Sequence, residues 1–302
     1  MLKRYRGLLG ATAGFLALAG VLWFAVRPLA VGMIIGAPSP GYEPGVLPRG
    51  ADAAIEIERA GARVRAWVFN PQGAPRATVF LLHGIGDSKE SLVSSAVRLE
   101  RRGYRAVTVD SRGHGESSGR FLTYGVEESR DLRDLVDELR RHSLLVEPVA
   151  VIGTSYGAAT AIEFAAIDPR VRAVVAVSPF ASLREIVPEY VTWMGGPAAL
   201  VIPESVINHV IDEAGRTGGF DPEQACARCA ARHLRVPMLV IHSRDDERIP
   251  WEHSDGIARA CATPVDLHLI DGASHNETGS AYGVEAMLDR WLDAHLPAHP
   301  IP

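Results

Sequence analysis

The sequence predicts an α/β chain built on a mostly parallel, doubly wound sheet. Three observations carry that expectation. Short apolar runs alternate with segments of helical periodicity along most of the chain. The chain opens this alternation with two adjacent strand-like runs, as an antiparallel hairpin would. Its 302 residues, 47% of them hydrophobic, suffice for one large domain with a substantial core.

The elements follow in order. Ala53 to Arg59 and Arg63 to Phe69 form the hairpin around Ala60-Gly61-Ala62. Ala77 to Leu82 is a strand, Ser88 to Arg102 a helix and Arg105 to Asp110 a strand. Val126 to Arg141 is an amphipathic helix, with Leu132, Leu135, Val136 and Leu139 on one face. Val149 to Ile152 is a strand, Tyr156 to Ala166 a helix and Val171 to Val177 a strand. The alternation then pauses between Ala181 and His233, a stretch too long for one connection. Its helix-like pieces, Leu183 to Trp193 and Pro203 to Glu213, predict an inserted helical cap over 181–233. Pro237 to His242 is a strand, Trp251 to Ala260 a helix, Val265 to Ile270 a strand and Gly279 to His295 the last helix. Parallel strands joined by helices bury both sheet faces, which accounts for the continuous apolar runs.

Ahead of this domain lies a segment of different character. Met1 to Arg6 carries Lys3, Arg4 and Arg6, and Gly7 to Val26 then runs for twenty residues without a charge. A helix of that length spans roughly 30 Å, the thickness of a bilayer core. Ala17-Leu18-Ala19 has the form of a signal-peptidase site, but the apolar run continues past it through Val26. Residues 1–36 are therefore expected to be a retained transmembrane anchor and 37–50, rich in Pro and Gly, a linker to the domain over 51–302. The basic flank predicts a cytoplasmic N-terminus, which places the domain over 51–302 on the extracytoplasmic side of the inner membrane.

Net charge of −5 and a pI near 6.1 argue against a nucleic-acid partner. Cys226-x-x-Cys229 has no second pair to complete a zinc site and no thioredoxin-like context, and the chain has no H-E-x-x-H. His242 and His253 lack metal-ligand spacing, so no metal or cofactor is expected. Small buried residues are one reading of the cysteines. A disulfide involving Cys261 is another, and the sequence leaves the choice open.

The stretch with most chemical content is Val149-Ala150-Val151-Ile152-Gly153-Thr154-Ser155-Tyr156-Gly157. An apolar run ends in G-x-S-x-G and a helix follows at once, the sequence form of a nucleophile elbow. Gly153 and Gly157 lack Cβ atoms, so strand and helix can approach while Ser155 takes a strained conformation. A serine needs a base, and the base needs an orienting acid. In open α/β sheets such groups gather after the carboxyl ends of strands. The loop after the 237–242 strand holds Asp245, Asp246 and Glu247, and the loop after the 265–270 strand holds His275.

These motifs resemble the α/β-hydrolase superfamily over roughly residues 50–296. The resemblance is strongest to a branch of membrane-anchored bacterial esterase and lysophospholipase-like proteins with a serine aminopeptidase-like fold. Leu81-Leu82-His83-Gly84-Ile85-Gly86 resembles the HG oxyanion loop, and Asp110-Ser111-Arg112-Gly113-His114-Gly115-Glu116-Ser117 the D-x-R-G-H-G-x-S loop. His242-Ser243-Arg244-Asp245-Asp246 through Pro250 resembles the H-G-x-x-D-x-x-V-P acid loop, with Ser243 for Gly and Ile249 for Val. That register implies Asp246 as the acid. In some relatives the acid follows the strand after the elbow, but Ser178-Pro179-Phe180 offers no carboxylate there.

The resemblance implies a Ser155–His275–Asp246 triad, with the backbone N–H groups of Ile85 and Tyr156 as oxyanion hole. His83, Gly84, Gly153 and Gly157 are expected to support the loops, and Asp110, Arg112 and His114 to tie theirs by hydrogen bonds. The expected partner is a small-molecule ester or acyl substrate. A peptidase or thioesterase would use the same triad. A non-catalytic binding protein on the same fold is the reading from a different class. Apolar cap residues Ile186, Val187, Val191, Trp193, Met194, Leu200, Val201 and Ile202 suit an acyl pocket or ordinary core packing equally.

Overall fold

An eight-stranded sheet in the order β1-β2-β4-β3-β5-β6-β7-β8 organises the protein, as a computed structural model shows it. The structure describes residues 24–38 and 45–296. The strands are β1 (Ala53–Arg59), β2 (Ala62–Phe69), β3 (Thr78–Leu82), β4 (Arg105–Asp110), β5 (Val149–Thr154), β6 (Val171–Val177), β7 (Met238–Ser243) and β8 (Val265–Ile270). β1 and β2 pair antiparallel, as do β2 and β4, and every pairing from β4 to β8 is parallel. All five residues of β3 are buried, whereas β1 alternates, with Ile55 and Ile57 inward and Glu56 and Glu58 outward. A central parallel strand is covered on both faces and an edge strand on one.

Helices cover the sheet on both sides. α2 (Val93–Arg101) and α9 (Val284–His295) bury Leu99, Leu288, Trp291 and Leu292 against one face. α3 (Glu128–Arg141), α4 (Tyr156–Ile167) and α8 (Glu252–Ala260) cover the other. The stripe Leu132, Leu135, Val136 and Leu139 of α3 is buried there. Between β6 and β7 run α5 (Leu183–Gly195), a 3-10 segment (Gly196–Val201), α6 (Glu204–Gly218) and the short α7 (Ala227–Ala231). Two helices start later than the periodicity predicts. Lys89–Leu92 is a 3-10 turn before α2, and α9 begins only after Gly283, whose φ of +84° breaks any continuous helix from residue 279.

The N-terminal region differs from expectation in one respect. Of the predicted span Gly7–Val26, only residues 24–26 are described, and the rest lies outside the described residues. Among the described residues, no helix is long and apolar enough to cross a membrane. Residues 24–35 form a helix, α1, which continues through Arg27-Pro28. Its Val31, Ile34 and Ile35 join the core cluster of the domain. The Leu122 amide donates to the Ile35 carbonyl at 2.9 Å, and Gly36 pairs with Phe121 as an antiparallel bridge. Residues 24–36, grouped by sequence with an anchor, thus pack as part of the domain. Cys226 and Cys229 are bonded to each other and Cys261 is free, which answers the open cysteine question differently from a Cys261 bridge.

Candidate active site

β5 delivers Ser155 to the carboxyl edge of the sheet, and α4 starts one residue later. Ser155 sits at φ 54°, ψ −115°, a conformation that costs on the order of 1–3 kcal/mol and persists only where its surroundings impose it. The imposing contacts are visible. A Cβ on Gly153 would lie 2.1 Å from the Gly157 carbonyl oxygen, and one on Gly157 would lie 2.6 Å from the Leu82 and His83 oxygens. Only glycine lets β3, β5 and α4 approach this closely. The Ser155 amide donates to the Val177 carbonyl at 2.8 Å, which ties the turn to β6.

The predicted triad residues meet. His275 Nε2 lies 2.9 Å from Ser155 Oγ, and His275 Nδ1 lies 2.7 Å from Asp246 Oδ2. Ser155 and His275 are almost wholly buried. All three carboxylates of the acid loop have distinct partners. Asp245 accepts from the Gly272 amide at 2.6 Å, and Glu247 from the His275 amide at 2.9 Å. The outer two thereby staple the acid loop to the histidine loop, while the middle one faces the imidazole. Burial opposes the charge on Asp246. Hydrogen bonds from His242, His275 and the Ile249 amide outweigh it and hold the carboxyl well below the usual range. An acid that stays ionised keeps the proton of His275 on Nδ1 and leaves Nε2 free to accept from serine.

The predicted supporting residues also take definite places. His83 Nε2 accepts the Ser111 amide at 3.1 Å, so its proton belongs on Nδ1, 2.7 Å from the Gly84 oxygen. Burial lowers its pKa and keeps it neutral. Its two ring nitrogens thereby join the β3 loop to the β4 loop. Gly84 stands against Ser155, where a Cβ would lie 3.6 Å from that of the serine. Ile85 and Tyr156 border the same cavity as Ser155. As the first residue of α4, Tyr156 has an amide with no intrahelical acceptor. Asp110 accepts the Lys89 amide at 2.7 Å and the Glu116 amide at 2.8 Å, and Arg112 makes a two-bond pair with Asp131 at 2.7 and 2.8 Å.

Three contributors escape sequence reasoning. His242 lies 3.2 Å from Asp246 and backs the acid from behind. Its position at the end of β7 is the signal that could have pointed to it. Lys89 is fully buried between Asp110 and Glu116, with its ammonium 4.1 Å from the centre of the Trp67 ring. The Tyr156 hydroxyl donates to Glu128 at 2.8 Å and fixes the start of α4. Burial, followed by the Glu128 charge, raises that phenol well above its ordinary pKa, so it remains a donor. The last two contacts join residues far apart in sequence, and no local pattern announces them.

An apolar cavity of about 470 Å³ opens beside Ser155. Phe180, Ile186, Val187 and Tyr190 line it, together with Trp193 and Met194 of the cap. Val191 and Ile202 also line it, whereas Leu200 and Val201 do not and are exposed.

Strand order, elbow and chain order of the triad now decide the architecture. The fold is that of the α/β hydrolases. A family model described as serine aminopeptidase, S33 matches residues 73–218. An uncharacterized protein of Mycobacterium tuberculosis is 29% identical over 95% of this chain and 94% of its own length. The uncharacterized protein YfhR of Escherichia coli K12 is 24% identical over 83% of this chain and 82% of its own. Among solved structures, an esterase of Pyrococcus furiosus superposes with a TM-score of 0.64 at 20% identity, covering 85% of this chain and 97% of that one. At that identity the likeness speaks for the α/β-hydrolase fold alone.

Proposed function

We propose that this protein is a serine hydrolase that cleaves carboxylic esters with apolar acyl groups. The continuous contact Ser155–His275–Asp246, at 2.9 and 2.7 Å, is the observation that carries this reading. Ser155 Oγ attacks the ester carbonyl carbon while His275 Nε2 takes its proton. The charge that develops on the carbonyl oxygen is held by the Ile85 and Tyr156 amides, each worth roughly 3–4 kcal/mol in such a site. The tetrahedral intermediate expels the alcohol, which takes the proton from His275. Water, deprotonated by the same imidazole, then attacks the acyl-serine. The carboxylic acid leaves and Ser155 recovers its proton.

An aminopeptidase with this triad would also need a carboxylate for the substrate's ammonium group. Among the described residues, no Asp or Glu lines the cavity, and Arg27 is the one charged side chain in its lining. That favours esters over aminoacyl substrates. A non-catalytic role would not require the buried, hydrogen-bonded triad or the strained serine. The basic N-terminus and the uncharged run Gly7–Val26 support a place on the inner membrane, with the domain on its extracytoplasmic side.

A fluorophosphonate probe is expected to label the wild-type protein and not Ser155→Ala. Nitrophenyl esters are expected to turn over, and aminoacyl anilides are not. Absence of labelling in the folded wild type, or turnover of anilides alone, would overturn the reading.

A further inference from the structure

The cavity beside Ser155 is not closed by the cap alone. Val26, Ala30, Met33 and Ile34 of α1 line it as well. These positions recur at the spacing of one helix face. The adjoining face carries Val31 and Ile35 into the core, so α1 is fixed in place by the domain. Tyr124 Oη donates to the Ile34 carbonyl, and Arg27 pairs with Glu213 of α6 at 3.1 Å. The helix is thus held at both ends while its apolar side faces the cavity.

The rim of this cavity is unusual for a water-facing surface. Met33 is 66% exposed and Met194 59%, although both line the cavity. Phe24 and Leu29 of α1 and Leu200 and Val201 of the 3-10 segment are large exposed apolar side chains as well. Exposed apolar side chains that share one cavity, as Met33 and Met194 do, mark a lipid or protein contact. The chain itself favours the lipid. The uncharged run Gly7–Val26 ends on α1, and Met33 lies seven helical residues further on, about 10 Å at 1.5 Å per residue. A chain anchored by that run would hold the cavity rim at the membrane surface.

We propose that α1 is the specificity wall of the acyl pocket, which takes one long acyl chain of a membrane-resident ester directly from the lipid surface. This rests on the ester-hydrolase and anchor readings above. The cavity of about 470 Å³ holds one chain of roughly fifteen methylenes, if each takes about the 30 Å³ of a water molecule. Two chains of that length do not fit. Each methylene buried favours the bound state about fourfold, so filling the wall from α1 should shorten the preferred chain.

The test uses the full chain reconstituted in phosphatidylcholine vesicles, with Ala30 replaced in turn by Val, Leu and Trp. The kcat/KM ratio of nitrophenyl palmitate to nitrophenyl acetate is expected to fall in that order, at least tenfold for Ala30→Trp. A ratio does not depend on the folded fraction, so a partly unfolded variant still reports. An unchanged ratio in all three variants overturns the proposal while wild-type acetate turnover leaves the ester-hydrolase reading standing. Loss of acetate turnover and probe labelling in the wild type overturns both. A palmitoyl ester in the protein's own vesicles should turn over at least tenfold faster than one in separate, protein-free vesicles. Equal rates overturn delivery from the lipid surface.

Discussion

Gly157→Ala probes the elbow most directly, because the structure gives the displacement it must cause. A Cβ at 157 would lie 2.6 Å from two backbone oxygens of the β3 end, where ordinary contact begins at 3.4 Å. Relief requires about 0.8 Å of movement, the difference of those two distances. β3 cannot supply it, because Leu82 is paired to Val109 on one side and Gly153 on the other. The start of α4 must therefore move, and it carries the Tyr156 amide and pulls on Ser155. Forcing a methyl into a close-packed contact costs about 1–3 kcal/mol. A misplacement near 1 Å at the reacting groups costs about a hundredfold in rate. Both effects are expected together, as a lower urea midpoint by circular dichroism and a roughly hundredfold slower second-order labelling by a fluorophosphonate. Gly256→Ala in α8 is the control. Its Cβ would meet Arg228 no closer than 3.6 Å, and the helix gains up to about 1 kcal/mol, with labelling unchanged. If Gly157→Ala labels as fast as wild type at an unchanged midpoint, the close approach of α4 to β3 does not position the nucleophile.

Asp246→Asn is expected to lower kcat by about 10⁴-fold, since an amide favours the wrong imidazole tautomer, and to lower the urea midpoint at pH 7 as well, since the hydrogen bonds that hold the carboxyl ionised favour the folded chain; a loss under tenfold in steady-state ester turnover would remove Asp246 from its role. Lys89→Met leaves the carboxylates of Asp110 and Glu116 facing each other without their buried cation, and a loss of at least about 3 kcal/mol is expected, read from denaturant unfolding. His114 is held neutral by burial, its pKa lowered to about 4 from 6.5. The unfolded chain then binds a proton that the native one refuses, so this contribution is complete above pH 6.5 and is lost as pH falls toward 4. The gap corresponds to about 3 kcal/mol. His114→Gln should therefore lose less stability than wild type between pH 7 and pH 4, and parallel midpoint curves for the two proteins would contradict it.

Much of the architecture was legible in the sequence because parallel strands buried on both faces are continuous apolar runs, and Gly153 and Gly157 punctuate the one turn that needs them. Elements were misplaced where a single residue resets the backbone. Gly283 with its left-handed φ delays α9, and nothing in the apolar periodicity of 279–295 signals it. The same holds for the 3-10 turn at Lys89–Leu92, whose lysine looks like a surface residue until its partner Asp110 is seen.

Which residue types follow which strands is read from the chain alone. That is local information: a serine in a glycine-flanked turn, three carboxylates in a row, a histidine after the last strand. It could not determine which carboxylate faces the histidine from geometry, since Asp245, Asp246 and Glu247 are chemically interchangeable until the loops dock. Docking of the two loops sets the outer two on backbone amides of the histidine loop and the middle one on the imidazole. Tertiary packing alone likewise makes residues 24–35 a wall of the cavity and not merely the end of an apolar run. An apolar helix face has the same composition whether it meets lipid, core or substrate. Which of these it meets depends on the elements that the rest of the chain folds against it.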